Sequence, residues 1–307
     1  MSQYLGHRVF ETENGYCVCF RQNQPQDGCF PYIQQGMIKG RAVGYSTDGM
    51  QFFGLSYKET QQPEALSGDL PSQNYQYELS YIGLQSEKIE LEGKHSLTFY
   101  AIFRKNHEDA IRKLEFAHEV KVAYDGFANL AEEVESCPKI KVRDEFGEPF
   151  ASREWSEDEI AALFPERRLE EREDGRLLSF FTPKHSHVVL KQKELMVERP
   201  HGTIITTMIN PDRVDSRLIS STNYIYGLFN AQTVVGNTSF HKFLSVARGL
   251  LNVLKNSGQR IYVRIDGKYR LLTLPSVYEM GLNYSRWFYS IGDDSLKVTS
   301  YAAAERC

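Results

Sequence analysis

The residues best suited to chemistry lie in the C-terminal half of the chain. The stretch Asn230–Phe240 reads NAQTVVGNTSF. It is rich in amides and hydroxyls, and Gly236 allows a backbone to approach a ligand closely. Such groups can tell one sugar hydroxyl from another, which charge alone cannot. Gln232, Gly236, Asn237, Ser239 and, one step beyond the loop, His241 are therefore the expected ligand contacts. The competing reading is an ordinary surface loop. Upstream, Arg199-Pro200-His201-Gly202 combines a residue that fixes φ with one that frees it, a rigid corner between strands. Its Arg and His can also face an anion or hydroxyls, but the structural reading is preferred. Glu194 and Glu198 are acids set amid an apolar run, at i and i+4. Acid catalysis of the inverting glycosidase kind needs two carboxyls facing each other at roughly 6.5–9.5 Å. The simpler expectation is ion pairing with Lys191, Lys193 or Arg199.

Other clusters read as structural. Cys17-Val18-Cys19 places two thiols on one face of a strand, but a metal site needs further ligands in fixed geometry. His185-Ser186-His187 stands beside Thr182-Pro183 and reads as a solvated turn. The chain has no GxxxxGK[ST] loop, GxSxG elbow, HExxH or paired CxxC, so no metal, no cofactor and no autonomous catalysis are expected. The net charge of -4 and a pI near 6.1 argue against a general nucleic-acid partner. No apolar run approaches the ~20 residues of a membrane span, and no signal peptide opens the sequence. Five scattered cysteines fit a reducing compartment better than a disulfide framework, so a cytoplasmic location is expected.

The elements that must position these residues read as mainly β. Tyr and Phe number 18 each, and both favour pleated, half-buried surfaces. Asn14-Gly15 and Asp48-Gly49 read as hairpin turns, and Tyr75, Tyr77, Leu79 and Tyr81 alternate as one strand face. From Asn106, a helix-capping residue, Ile111, Leu114, Ala117, Tyr124, Phe127 and Leu130 recur at helical spacing. Ser156 to Glu159 is a capping box opening a helix over Glu157–Phe164. Residues 166–176 (ERRLEEREDGR) read as a charged bridging loop. Strands return at Leu177–Phe181, Val188–Leu190, Leu195–Val197, Thr203–Ile209 and Leu218–Phe229. Asp266-Gly267 and Gly292-Asp293-Asp294 mark two late hairpins. Phe240–Leu254 carries a helical period. Three parts result: a first β part at 1–104, a helical excursion and connection at 105–176, and a second β part at 177–307.

Several of these words stand in a familiar order. WSEDEIAALFP, LLSFFTPKHSHVVLKQKELMVERPHG, SFHKFLSVARGLLNVLKNSGQRIYVRIDGKYRLL, LPSVYEMGLNYSRWFYS and LKVTSYAA together resemble the N-terminal β-sandwich region of the glycoside phosphorylases of glycoside hydrolase family 94. The likeness is greatest to the 1,2-β-oligoglucan branch and is strongest after Trp155. It implies a large antiparallel β-sandwich of the galactose-mutarotase-like, or supersandwich, kind with a helical insertion around 106–164. It also implies a partner, an (α/α)6 catalytic domain or subunit, that would carry the general-acid Asp missing here. In such a parent, inorganic phosphate is a co-substrate rather than a cofactor. It attacks a β-glucan oligosaccharide with inversion to give α-glucose 1-phosphate, and a homodimer is implied. A Gly-Tyr-Ser-Phe-like loop approaches the sugar in the cellobiose phosphorylase branch. Gly236-Asn237-Thr238-Ser239-Phe240 is its nearest match here and lacks the tyrosine. The resemblance also shortens the helix expected at Phe240–Leu254. The alternative is a stand-alone carbohydrate-binding or scaffold module; nothing local supports an independent lyase or hydrolase.

Overall fold

The computed structural model describes residues 5–76, 80–128, 144–198, 201–206, 220–226, 233–235, 239–241 and 260–301. The chain forms two units. The first comprises Met1–Gly54 and Pro63–Lys141, and the second comprises Leu55–Gln62 and Val142–Cys307.

The first unit is built on β1 (Leu5–Thr12) and β2 (Gly15–Gln22), antiparallel with Thr12 opposite Gly15. Gly15 is required twice over. Its φ is +81°, and a Cβ there would lie 2.0 Å from the carbonyl oxygen of Ala42, where β4 (Ala42–Asp48) begins beside it. With β3 (Tyr32–Lys39), β5 (Ser80–Ser86) and β6 (Thr98–Arg104), the sheet runs β5-β4-β2-β3-β6 with β1 along β2. The alternating strand expected from Tyr75 is observed only from Ser80; residues 77–79 lie outside the described residues.

Two expectations in this unit are corrected. Asp48-Gly49 is not a hairpin turn. Asp48 caps the short helix α1 (Gly49–Phe53), accepting from the Met50 N–H, with Gln51 reaching back to close the box. The same Asp that tolerates a turn also accepts helix N–H groups, and the Gln at the third helical position decides between them. The helix expected from Asn106 starts only at Ala117, as α3 (Ala117–Ala128). Asn106 Oδ1 instead accepts from the Phe30 N–H at 2.9 Å. Ile111 and Leu114 reach the core cluster of Cys17, Cys19 and Tyr32 without a helix around them. Phe116 at φ 63° sets a left-handed break just before α3.

The second unit is built on a six-stranded antiparallel sheet ordered β18 (Asp294–Tyr301), β17 (Tyr284–Ile291), β16 (Val277–Met280), β9 (His187–Leu190), β8 (Arg176–Phe181) and β7 (Arg168–Glu173). In chain order the unit holds α2 (Tyr57–Thr60), α4 (Glu157–Leu163), β7, β8, β9 and α5 (Lys191–Met196). Then come β10 (Gly202–Thr206), β11 (Ser220–Tyr224), β12 (Thr233–Val235), β13 (Ser239–His241), β14 (Tyr262–Ile265), β15 (Lys268–Leu271), β16, β17 and β18. Both faces of the sheet are covered, which is why its central strands read as unbroken apolar runs. The pleat sorts their side chains. Val189, Tyr278, Trp287 and Tyr289 enter one core with Leu272 and Leu274. Val188, Leu190, Val277 and Phe288 enter the other, against Ile160 and Phe164 from the α4 segment. Tyr278 lies opposite both Trp287 and Val189, and Val277 opposite Phe288 and Leu190, so a one-residue slip would exchange the two cores. The polar tips are satisfied. Trp287 Nε1 donates to Tyr224 O (2.9 Å) and the Tyr289 hydroxyl to Thr273 O (2.9 Å).

The chain is thus mainly β, with helices interrupting it at α3 and α4. Ser156 caps α4 with both arms of its box formed. The hairpins at Asp266-Gly267 and Gly292-Asp293 form, with Gly267 and Gly292 at positive φ. The charged run is not a loop. Asp174 and Gly175, at φ 49° and 80°, turn β7 onto β8, the Asp-Gly signal in a stretch where charge masked it. Arg172 holds this exposed edge strand to α4 through both oxygens of Glu157 (2.8 and 2.9 Å). Leu195–Val197 is not a strand either, because Lys191–Met196 forms α5. Its residues are nearly all strong helix formers, and a three-residue apolar run carries no period of its own. The segment expected as a helix at Phe240–Leu254 lies outside the described residues after His241.

Candidate functional site

Glu194 is the most enclosed acid of the stretch first suspected. It is fully buried on α5, whereas Glu198 is exposed, so the two do not share a face. Of the cations expected to pair with Glu194, Lys191 and Lys193 pair elsewhere, with Glu59 and Glu171, and Arg199 lies outside the described residues. Its Oε2 accepts from the backbone N–H of His201 (3.1 Å) and lies 2.8 Å from His201 Nδ1. Its Oε1 makes no aligned hydrogen bond and instead lies 3.2 Å from Lys58 Nζ. Lys58, buried on α2, also donates to the carbonyls of Glu194 (2.5 Å) and Val197 (2.6 Å). The next residue repeats the exchange in reverse. Glu59 pairs with Lys191 at 2.5 Å, and Lys191 donates to Ser152 O at 2.7 Å. Two helices of four and six residues are thereby stapled together across about 135 positions of sequence. A carboxylate so enclosed, with His201 at the corner as its partner, builds structure rather than holding a free proton for transfer.

The other enclosed acid is Glu279 on β16. Oε1 accepts from the Ser186 and Tyr284 hydroxyls, both at 2.8 Å, and Oε2 accepts from Arg286 at 3.1 Å. His185 and Ser186 close the turn expected here, but Ser186 is buried rather than solvated and His187 already belongs to β9. Thr182 and Ser186 exchange backbone and hydroxyl bonds, and His187 opens β9 stacked on Phe181 at 4.6 Å. Burial and the nearby Lys193 and His201 charges push the His187 imidazole below its ordinary value. In the first unit, Cys17, Tyr100, Gln34, Tyr32 and Cys19 form one buried polar chain with links of 2.7 to 3.3 Å.

The residues expected to touch ligand are only partly placed. Gln232, Gly236, Asn237, Arg199 and Pro200 lie outside the described residues. Ser239 and His241 lie on β13, paired with Val235 and Thr233 of β12. Gly202 opens β10 facing Tyr224, and a Cβ there would lie 2.4 Å from Asn223 O.

The concavity that sequence reasoning did not single out runs along β17. Tyr284, Arg286, Phe288 and Ser290 alternate along one face of the strand. A hollow of about 590 Å³ lies at the Tyr284–Arg286 end, and one of about 730 Å³ lies at the Ser290 end beside Trp155. They share Leu163, Phe288 and Lys297 and so adjoin end to end along the strand, a groove of two hollows. The alternation in YSRWFYS was the available signal. Trp155 carried none beyond its place before the capping box.

Comparison with known proteins follows this architecture. Residues 1–101 match the SOGP N-terminal domain, and residues 164–307 match the glycoside phosphorylase supersandwich domain. A 1,2-beta-oligoglucan phosphorylase from Listeria innocua is 38% identical over 311 residues, which is 99% of this chain and 27% of that protein. The chain thus spans about a quarter of the length of the relative it matches. By these matches the chain holds the N-terminal domain and the supersandwich domain of an SOGP-type glycoside phosphorylase.

Proposed function

We propose that this chain is the non-catalytic N-terminal β-sandwich part of a β-1,2-oligoglucan phosphorylase. It supports an (α/α)6 catalytic barrel and helps to shape the oligosaccharide site of a cytoplasmic, homodimeric enzyme. The parent reaction is phosphorolysis of β-1,2-glucooligosaccharides to α-glucose 1-phosphate. The observation that carries this reading is the 38% identity running through 99% of the chain while covering only 27% of the relative.

The enclosed acids support the non-catalytic role. Glu194 is committed to Lys58 and His201, and Glu279 to Ser186, Tyr284 and Arg286. Inverting transfer needs an acid on one face of the scissile bond and a nucleophile on the other. Phosphate is already anionic and requires only positioning and charge complementarity. These tasks fall to the longer protein's barrel. The buried thiols Cys17 and Cys19 suit a reducing compartment.

The test is an assay of this chain alone and of the protein with its barrel, each given β-1,2-glucooligosaccharides and inorganic phosphate. Sugar phosphate is expected only from the second. Its formation by the chain alone, or its absence from both, overturns the reading.

A further inference from the structure

We propose that the groove along β17 is a binding site for a neutral oligosaccharide. Its length suits a chain of sugars rather than one. Six residue steps from Tyr284 to Ser290 span roughly 20 Å at about 3.4 Å each. Its walls come from two elements that cannot separate easily. On one side is α4, held to the sheet through Ile160 and the adjoining Phe164. On the other is the β17–β18 hairpin, where Lys297 stands opposite Phe288 and Ser295 opposite Ser290.

The chemistry of the lining selects the ligand class. Trp155 is half-buried, with its Nε1 donating to Ser290 Oγ at 2.6 Å and its ring tilted on Phe288 at 6.0 Å. That ring is fixed in place and still borders the groove. A fixed aromatic surface suits the C–H face of a pyranose. Around it the acids outnumber the bases by one, and the charges are partly paired. Arg153 grips both oxygens of Glu159, whose carboxyl is pulled down to about 2 by that guanidinium and by the Ser156 N–H. Arg286 donates to one oxygen of Glu279, Oε2, at 3.1 Å. A polyanion gains nothing from such a partly paired, slightly acidic surface, whereas hydroxyls can bond to either sign. The hairpin end keeps capacity in reserve. Among the described residues, the side chains of Asp293, Asp294 and Lys297 form no hydrogen bond or ion pair, and all three are exposed on the groove. Carboxylate and ammonium groups beside a pinned indole form a surface able to hold successive sugar units by stacking and by charge-assisted hydrogen bonds.

The linkage, β-1,2-glucan, rests on the proposed function; the neutral, polyhydroxylated character rests on the groove itself. Two tryptophans make the site readable. Trp287 is fully buried, so a ligand that quenches or shifts emission reports on Trp155. The chain is titrated with β-1,2-glucooligosaccharides, with cello-oligosaccharides and with a polyphosphate, following fluorescence and heat. A neutral glucan is expected to bind and to shift emission, and Asp294→Ala, on the exposed hairpin, is expected to weaken binding about tenfold. Trp155→Ala removes both binding and signal. Because Trp155 also packs on Phe288, Asp294→Ala is the variant that separates lost contact from lost fold. Glucan binding unchanged in both variants, preference for the polyphosphate, or no glucan binding at all overturns the groove proposal. If phosphorolysis by the protein with its barrel persists in those cases, the proposed function stands alone. Cello-oligosaccharide binding in the groove, without phosphorolysis of β-1,2-glucans, keeps the groove and removes the function.

Discussion

Replacing Lys58 by methionine removes one charge from an enclosed pair and keeps most of the side-chain volume. At 3.2 Å the two charges attract by about 5 kcal/mol at an effective dielectric of 20. Desolvation offsets much of this, so the pair adds little compared with an apolar replacement of both residues. Removing one partner is different. Glu194 is fully buried; Oε2 keeps its two contacts to His201, but Oε1 loses the only one it makes among the described residues. The carbonyls of Glu194 and Val197 lose their donor as well. The expected loss is about 3–5 kcal/mol, the range for a buried charge left without its partner. Glu194→Gln preserves shape and one acceptor, and should cost about 2–3 kcal/mol. Since each single change damages the same contact, the double variant should fall short of the sum by about 1–3 kcal/mol. Urea unfolding followed by tryptophan fluorescence measures this directly, because Trp155 and Trp287 both lie in the second unit. Single losses below about 1 kcal/mol, or a strictly additive double variant, would refute the reasoning.

Three further outcomes follow from the same geometry. Ser156→Ala deletes one arm of the α4 capping box and should lower stability by about 1 kcal/mol in thermal melts; an unchanged melting temperature counts against it. Ser285→Ala leaves both the Tyr278 hydroxyl (3.0 Å) and the Asn223 amide (3.3 Å) without that buried partner. It should cost about 1–3 kcal/mol, and a neutral result in urea would show that the network is dispensable. His187 is held below its ordinary value of 6.5, chiefly by burial, so the folded state binds fewer protons than the unfolded one. Its contribution is full above about pH 6.5 and declines as pH falls through the folded value. His187→Gln should flatten that acid limb, and an NMR titration placing His187 at or above 6.5 would contradict the assignment.

What the sequence disclosed follows the range of the interactions involved. The Ser156 capping box, the two late hairpins and the double-sided strands β8 and β9 rest on contacts within a few residues, or on a period of two. Asp48 and Asn106 are ambiguous in sequence because one side chain can serve a turn, a cap or a distant loop. The choice was made by Gln51 in the first case and by the Phe30 N–H in the second. β7 was hidden because an edge strand held by Arg172 and Glu157 has no apolar face to reveal it. The partner of Glu194 could not be read locally at all, since Lys58 stands 136 positions away with no motif around it. The groove was half visible: the alternation from Tyr284 to Ser290 defines its floor, but only tertiary packing brings Trp155 to its end.

That long-range staple also separates the boundaries of similarity from those of folding. The matched stretch 1–101 contains α2, yet Leu55–Gln62 belongs physically to the second unit. Lys58 closes the end of α5, Glu59 neutralises Lys191, and the Thr273 hydroxyl lies 3.1 Å from Glu59 O. A fragment beginning at residue 142 would keep every strand of the six-stranded sheet while leaving Glu194 buried without its cation and Lys191 without its carboxylate. At about 3–5 kcal/mol each, two such charges would consume much of the roughly 5–15 kcal/mol that a domain holds in reserve. Neither unit is therefore a segment that sequence alone can cut out. The chain commits part of its first half to the second, and a division that leaves Leu55–Gln62 with the first half would destabilise the sheet that the resemblance identifies most clearly.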